Sequence, residues 1–124
     1  MTAMMTGRAP MGARMVLRAS PVAVSAGQVS FAVSNLGWRD HELIILPLGA
    51  DASAGQRVPS ADGRVGEAGS LGEASSSCTA GAGAGIAPAS LGWTTVALAP
   101  GRYELLCNLP NHYIDGMYTE LLVK

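Results

Sequence analysis

The chain has 124 residues, of which 14% are charged and 48% hydrophobic, with a formal net charge of −1. That suits one domain with an apolar core and excludes a disordered chain. A near-neutral chain with scattered basic residues also carries no electrostatic footprint for nucleic acid, so no nucleic-acid partner is expected.

With only 5% aromatic residues, the core must be built mostly from Val, Leu, Ile and Ala. No apolar run reaches the roughly 18 residues needed to span a bilayer. The first 14 residues lack the apolar stretch of a signal peptide. Membrane contact is therefore expected to be peripheral at most, or made through an N-terminal segment since removed.

Residues 1–13 are rich in Met, Gly and small side chains, with Met1, Met4, Met5 and Met11. They are expected to form a flexible segment ahead of a domain spanning 14–124. The alternative is a Met-rich arm that collects Cu(I), because thioethers are soft ligands. Residues 15–19 form a short strand candidate, punctuated by Ser20-Pro21, and 22–24 lead into a turn at 25–28. Residues 29–34 alternate, with Val29, Phe31 and Val33 on one face, as in a half-buried strand of an antiparallel sheet. Residues 35–38 make the next loop and deliver the chain to His41.

Residues 42–46 read as an apolar strand whose far end Pro47 confines to an edge or terminus. Residues 49–92 form a long Gly/Ala/Ser-rich connection, expected to hold one or two short helical turns. Residues 93–98 and 102–107 are strands around the turn signal Ala99-Pro100-Gly101, and Tyr103, Leu105 and Cys107 share a face. Residues 117–123 close the domain. About seven short strands with turn punctuation and no long helix argue for a β-sandwich.

Between the last two strands the chain reads Cys107-Asn108-Leu109-Pro110-Asn111-His112-Tyr113-Ile114-Asp115-Gly116-Met117, a Cys-x4-His-x4-Met array. His41 is the only other histidine. One thiolate, two imidazoles and one thioether form the ligand set of a mononuclear blue copper site, His2Cys in a plane with a weak axial Met. Each residue alone has a plainer reading, as core filler, buried small hydrophobe or surface histidine. Their conjunction in a chain with 2 His and 2 Cys favours the metal.

Other metals fit less well. Structural zinc normally closes with four Cys or His ligands, often in paired spacings, and no such pair exists here. A binuclear copper centre needs a second Cys in the loop. An iron site with two His and Glu42 or Asp115 leaves Cys107 and Met117 unexplained.

The pattern from Met15 to Lys124 resembles the cupredoxins, the blue copper proteins. It is carried by the Val24-Ser25-Ala26-Gly27-Gln28-Val29 run continuing to Asn35, by His41 at the head of a strand, and by the arm from Pro100 to Cys107. The ligand spacing is similar to that of the rusticyanin and sulfocyanin members. The resemblance implies a Greek-key β-sandwich with the long insertion. It implies one copper ion held by His41, Cys107 and His112, with Met117 axial. It also implies one-electron transfer without catalysis, an extracytoplasmic location, and redox partners docking near His112 over a patch of Leu36, Trp38, Leu109, Pro110, Tyr113 and Ile114. A copper-delivery protein handling Cu(I) is the rival reading.

Two residues depart from the simple pattern. Many members follow the first histidine with Asn or Ser, which ties down the Cys loop, whereas this chain has Glu42. Asn108 or Asn111 is then the candidate tie. Cys78 is read as a free thiol or an intermolecular disulfide partner. A Cys78–Cys107 disulfide would abolish the site.

Overall fold

The computed structural model describes residues 2–6, 15–74 and 85–124. Among them are nine strands: β1 (Thr2–Thr6), β2 (Val16–Ser20), β3 (Ala23–Val24), β4 (Gly27–Asn35), β5 (Leu43–Leu48), β6 (Gly72–Ala74), β7 (Leu91–Leu98), β8 (Gly101–Leu106) and β9 (Tyr118–Val123). They form a four-stranded sheet ordered β2-β1-β4-β7 and a five-stranded sheet ordered β3-β9-β8-β5-β6. The expected β-sandwich is present. Its sheets are mixed rather than purely antiparallel, because β1 runs parallel to β4 and β3 parallel to β9.

Alternation decides which face each strand buries. In β4, Val29, Phe31, Val33 and Asn35 point inward while Gln28, Ser30 and Ala32 are exposed. Val29, Phe31 and Val33 meet Leu43, Ile45, Tyr103, Leu105, Leu121 and Val123 of the facing sheet in one core, which also holds Cys107 and Met117. β5 and β8 are instead buried on both faces: Leu43–Leu46 of β5 is an unbroken apolar run, whereas β8 buries Glu104 among Tyr103, Leu105 and Leu106. Their outer side chains Ile44, Leu46 and Leu106 pack with Val65 and Tyr113 in a second, smaller core. The insertion and the Cys107–Met117 loop cover that outer face. Pro47 lies within β5, beyond the Leu43–Ile45 stretch paired to β6, where its missing N–H interrupts no ladder on that side.

Two expectations need correction. The segment 1–13 is not a flexible tail throughout, because Thr2–Thr6 forms β1 between β2 and β4. Its alternation is what places it there: Ala3 and Met5 are buried in the core while Met4 is 43% exposed. Met5 and Met15 are thus core filler, the role a flexible thioether often plays; Met1 and Met11 lie outside the described residues. The connection 49–92 has no helical turn among its described residues; it contributes β6, the first residues of β7 and a bridge between Ile86 and His41. No apolar helical period exists there to bury a helix face. Cys78 lies outside the described residues, and Cys107 is a buried free thiol.

Candidate metal centre

Two parts of the chain converge at one end of the sandwich. His41 stands just ahead of β5, and its backbone exchanges hydrogen bonds of 3.1 and 2.6 Å with Ile86. Asn35, fully buried at the end of β4, organises the loop before it. Its amide donates to the carbonyls of Arg39 and Ile86, both at 2.7 Å, and its side-chain oxygen accepts the Gly37 N–H. Asn35 and Ile86 are functional supports that motif reading missed. Only the Asn at the end of an alternating strand hinted at the first.

The second part is the loop from β8 to β9. The Cys107 N–H donates to the Met117 carbonyl at 3.0 Å, and the Met117 N–H to the His112 carbonyl at 3.1 Å. Asn111 turns the chain at φ 67°, a left-handed conformation that Asn tolerates better than most residues.

The loop brings His41 Nδ1, His112 Nδ1 and Cys107 Sγ together. The nitrogens are 3.2 Å apart, and the sulfur lies 3.8 Å from His41 and 3.4 Å from His112. Bonds of about 2.3 Å to sulfur and about 2.0 Å to imidazole, set in a trigonal plane, place sulfur about 3.7 Å from each nitrogen and the nitrogens about 3.5 Å apart. The triangle is the right size for one ion. All three residues are buried, and His41 Nε2 has no hydrogen-bond partner among the described residues. Nδ1 is the ring nitrogen that His41 presents to the triangle. Met117 is fully buried, with its backbone bonded to both loop ligands.

Burial also sets the charge of the metal-free site. It lowers His41 to a pKa of about 4, with His112 adding to the effect, and lowers His112 as well. It pushes the Cys107 thiol up to about 11. The ordinary state is then two neutral imidazoles and a thiol, so metal binding must expel the thiol proton. The backbone N–H of Glu42 at 3.3 Å from Sγ, with a second from Leu109, favours the thiolate.

Glu42 itself is not the tie for the loop. Its side chain turns to Glu73 and Glu67, and burial beside those carboxylates raises its pKa to about 7. Asn108 makes the tie instead: its side chain accepts the Val65 N–H at 2.8 Å and donates to the Val65 carbonyl and to Glu67. Asn111 contributes through its backbone, donating to the Gly63 carbonyl at 3.0 Å.

Glu42 has a measurable consequence. Its folded pKa of about 7 lies above the ordinary 4.5, so unfolding releases its proton between those pH values and stability falls as pH rises through them. His41 has the opposite sign, losing stability as pH drops from 6.5 toward about 4. Comparing Glu42→Gln with the parent cancels the His41 contribution. The stability of the metal-free variant relative to the parent should grow by about 2–3 kcal/mol from the acid to the neutral end of that window. Urea midpoints at the two ends check this, and a flat difference would mean Glu42 ionises normally.

The two sheets form a cupredoxin-like β-sandwich, and the buried triangle of His41, Cys107 and His112 lies at one end of it. Among solved structures, auracyanin of Roseiflexus castenholzii is 21% identical with a TM-score of 0.61, covering 99% of this chain and 96% of that one. Rusticyanin from Thiobacillus ferrooxidans is 16% identical with a TM-score of 0.60, over 99% of this chain and 76% of that one. Auracyanin B is 21% identical with a TM-score of 0.59, over 99% and 88%. No protein-family model matches the chain, and no curated protein matches it.

Proposed function

We propose that this chain is a one-electron carrier built on a single type 1 copper ion held by His41, Cys107 and His112, with Met117 as the weak axial ligand. The observation that carries the reading is the buried triangle of Sγ and two Nδ1 atoms with edges of 3.2–3.8 Å. A soft thiolate with two imidazoles suits both Cu(I) and Cu(II), and copper so held supplies reversible one-electron exchange. The chain's own part is to exclude water, hold the thiolate under two amide N–H groups, and keep the donors in place through either oxidation state. Similar folds support the choice of metal: rusticyanin is a copper protein, and auracyanin has been obtained reduced by sodium dithionite.

A carrier needs a docking face rather than a substrate pocket. His112 is nearly buried, at 7% exposure, while Leu36, Trp38 and Ile114 on the two ligand-bearing loops are 59–75% exposed. These side chains and Pro110 suit a small, weak redox interface near His112. Tyr113 does not belong to that face, being buried beneath the loop. An extracytoplasmic location fits the resemblance. No helix among the described residues is long and apolar enough to cross a membrane. The copper-delivery reading is weakened, because Met5 and Met15 are in the core.

Copper(II) titration tests the proposal. One equivalent should give an intense blue band and a reversible voltammogram; a colourless complex, or ready release of Cu(I) to a chelator, would overturn it. Met117→Leu should raise the potential, since apolar surroundings disfavour Cu(II), and Met117→Gln should lower it by offering a harder donor. Unchanged potentials in both variants would remove Met117 from the site.

A further inference from the structure

The insertion after β5 touches the ligand loop at three places, each beside a ligand. Next to Cys107, Asn108 is held by both backbone groups of Val65, at 2.8 and 2.9 Å, and by Glu67 at 2.8 Å. One residue before His112, the Asn111 N–H donates to the Gly63 carbonyl. One residue after it, the Tyr113 hydroxyl donates to Glu104 Oε2 at 2.7 Å and accepts the Arg57 N–H at 3.2 Å.

Glu104, fully buried on β8, anchors the far end. Its carboxylate takes Arg57 Nε at 2.6 Å and the Gly55 N–H at 2.8 Å as well as Tyr113. A carboxylate buried in the middle of a strand is costly unless fully paired, and here every partner belongs to the insertion or the ligand loop. Gly63 shows how close the fit is: at φ +78°, an added Cβ would lie 2.7 Å from the Asn111 nitrogen.

We infer that residues 55–67 act as a clamp on the ligand loop, with Asn108, Gly63, Tyr113 and Glu104 as positioning residues for Cys107 and His112. The inference rests on the copper reading of the site. Without the clamp the loop would keep its two strand ends, its internal turns, the Glu42 N–H on Cys107 Sγ and the Met15 N–H on the Asp115 carbonyl, but nothing bracing it on the outer face beside Asn108 and His112. With it, both loop ligands are braced from outside the sandwich, which limits their movement when the oxidation state changes. The clamp also accounts for the second core under Val65 and Tyr113, which the metal alone does not require.

Gly63→Ala in the full chain breaks the central contact without touching a ligand. Gly66→Ala is the control, since an added Cβ there meets nothing within 4 Å. In the copper-free protein, amide exchange at Asn111 and Val65 should quicken at least tenfold in Gly63→Ala, while Phe31 and Leu105 in the core strands exchange as in the parent. In the copper-loaded protein, copper release to a chelator should quicken at least tenfold, and the copper hyperfine splitting should shift. Gly66→Ala should match the parent throughout.

If Gly63→Ala loses protection in the core strands too, Tyr113→Phe carries the test, because it deletes only the hydroxyl. Tyr113→Phe should then give the faster release and shifted splitting, while Glu104 keeps Arg57. Faster amide exchange with unchanged release and splitting would make the insertion a mere cover and overturn the clamp. A parent that binds no copper would overturn the reading of the site itself, and with it the clamp's role. A blue parent with unmoved variants overturns the clamp alone.

Discussion

Cys107→Ser is expected to abolish the blue chromophore and lower copper affinity by several orders of magnitude. The intense band comes from charge transfer between thiolate and Cu(II), and a serine hydroxyl stays protonated where a thiol can be expelled to thiolate. Two imidazoles 3.2 Å apart would remain, with no soft donor beside them. The fold should survive. Serine fits the Cys107 space, and its hydroxyl inherits the Glu42 N–H as a partner, so the cost is that of one polar group moved into an apolar core, about 1–3 kcal/mol. Absorption and copper analysis of the variant check the first claim, and its thermal melt the second. A variant that stayed blue would assign the thiolate to Cys78, and Cys78→Ser would then lose the colour. With the triangle as observed, Cys78→Ser should remain blue.

Removing residues 2–6 should have the larger effect on the protein as a whole. β1 lies between β2 and β4, so its loss strips β2 of its sheet partner and leaves β4 paired only to β7. Ala3 and Met5, both fully buried, leave the core with it. The Met5 carbonyl also accepts the Leu36 N–H at 2.8 Å, so the loop leading to His41 loses a support. Domains of this size are stable by about 5–15 kcal/mol, and losing a central strand is expected to exceed that. The truncated chain should show no cooperative unfolding and no blue colour with copper. The milder Met5→Ala should fold, with a loss of about 2–5 kcal/mol. A truncated protein that melts like the parent would show that β1 is dispensable.

Much of the site was written in one stretch of residues. Cys107, His112 and Met117 are spaced along a single loop, and loop spacing is a local property that a sequence displays directly. His41 could be added because it is the only other histidine, leaving nothing else to complete the set. The strands that alternate cleanly, β4 and the inner faces of β7 and β9, were legible for a similar reason, since period-two burial is imprinted residue by residue. β1 was not, because its five residues are too few to distinguish alternation from a Met-rich tail, and its burial depends on strands that follow it in the chain.

The remaining features arise from pairings between residues far apart in sequence. That Asn35 and Ile86 hold His41, that Val65 and Glu67 are the partners of Asn108, a candidate tie the sequence had offered, and that Glu104 with Tyr113 fastens the insertion are contacts of this kind. A Gly/Ala/Ser-rich segment carries no hydrophobic period from which its course could be read. Its place is decided by backbone amides and carbonyls, which every residue type possesses and no sequence pattern advertises. The amino-acid sequence alone pointed to the proposed donor set and to the sandwich that carries it. Which groups brace those donors, and the protonation that burial imposes on them, were decided only when the sheets and the insertion closed over the site.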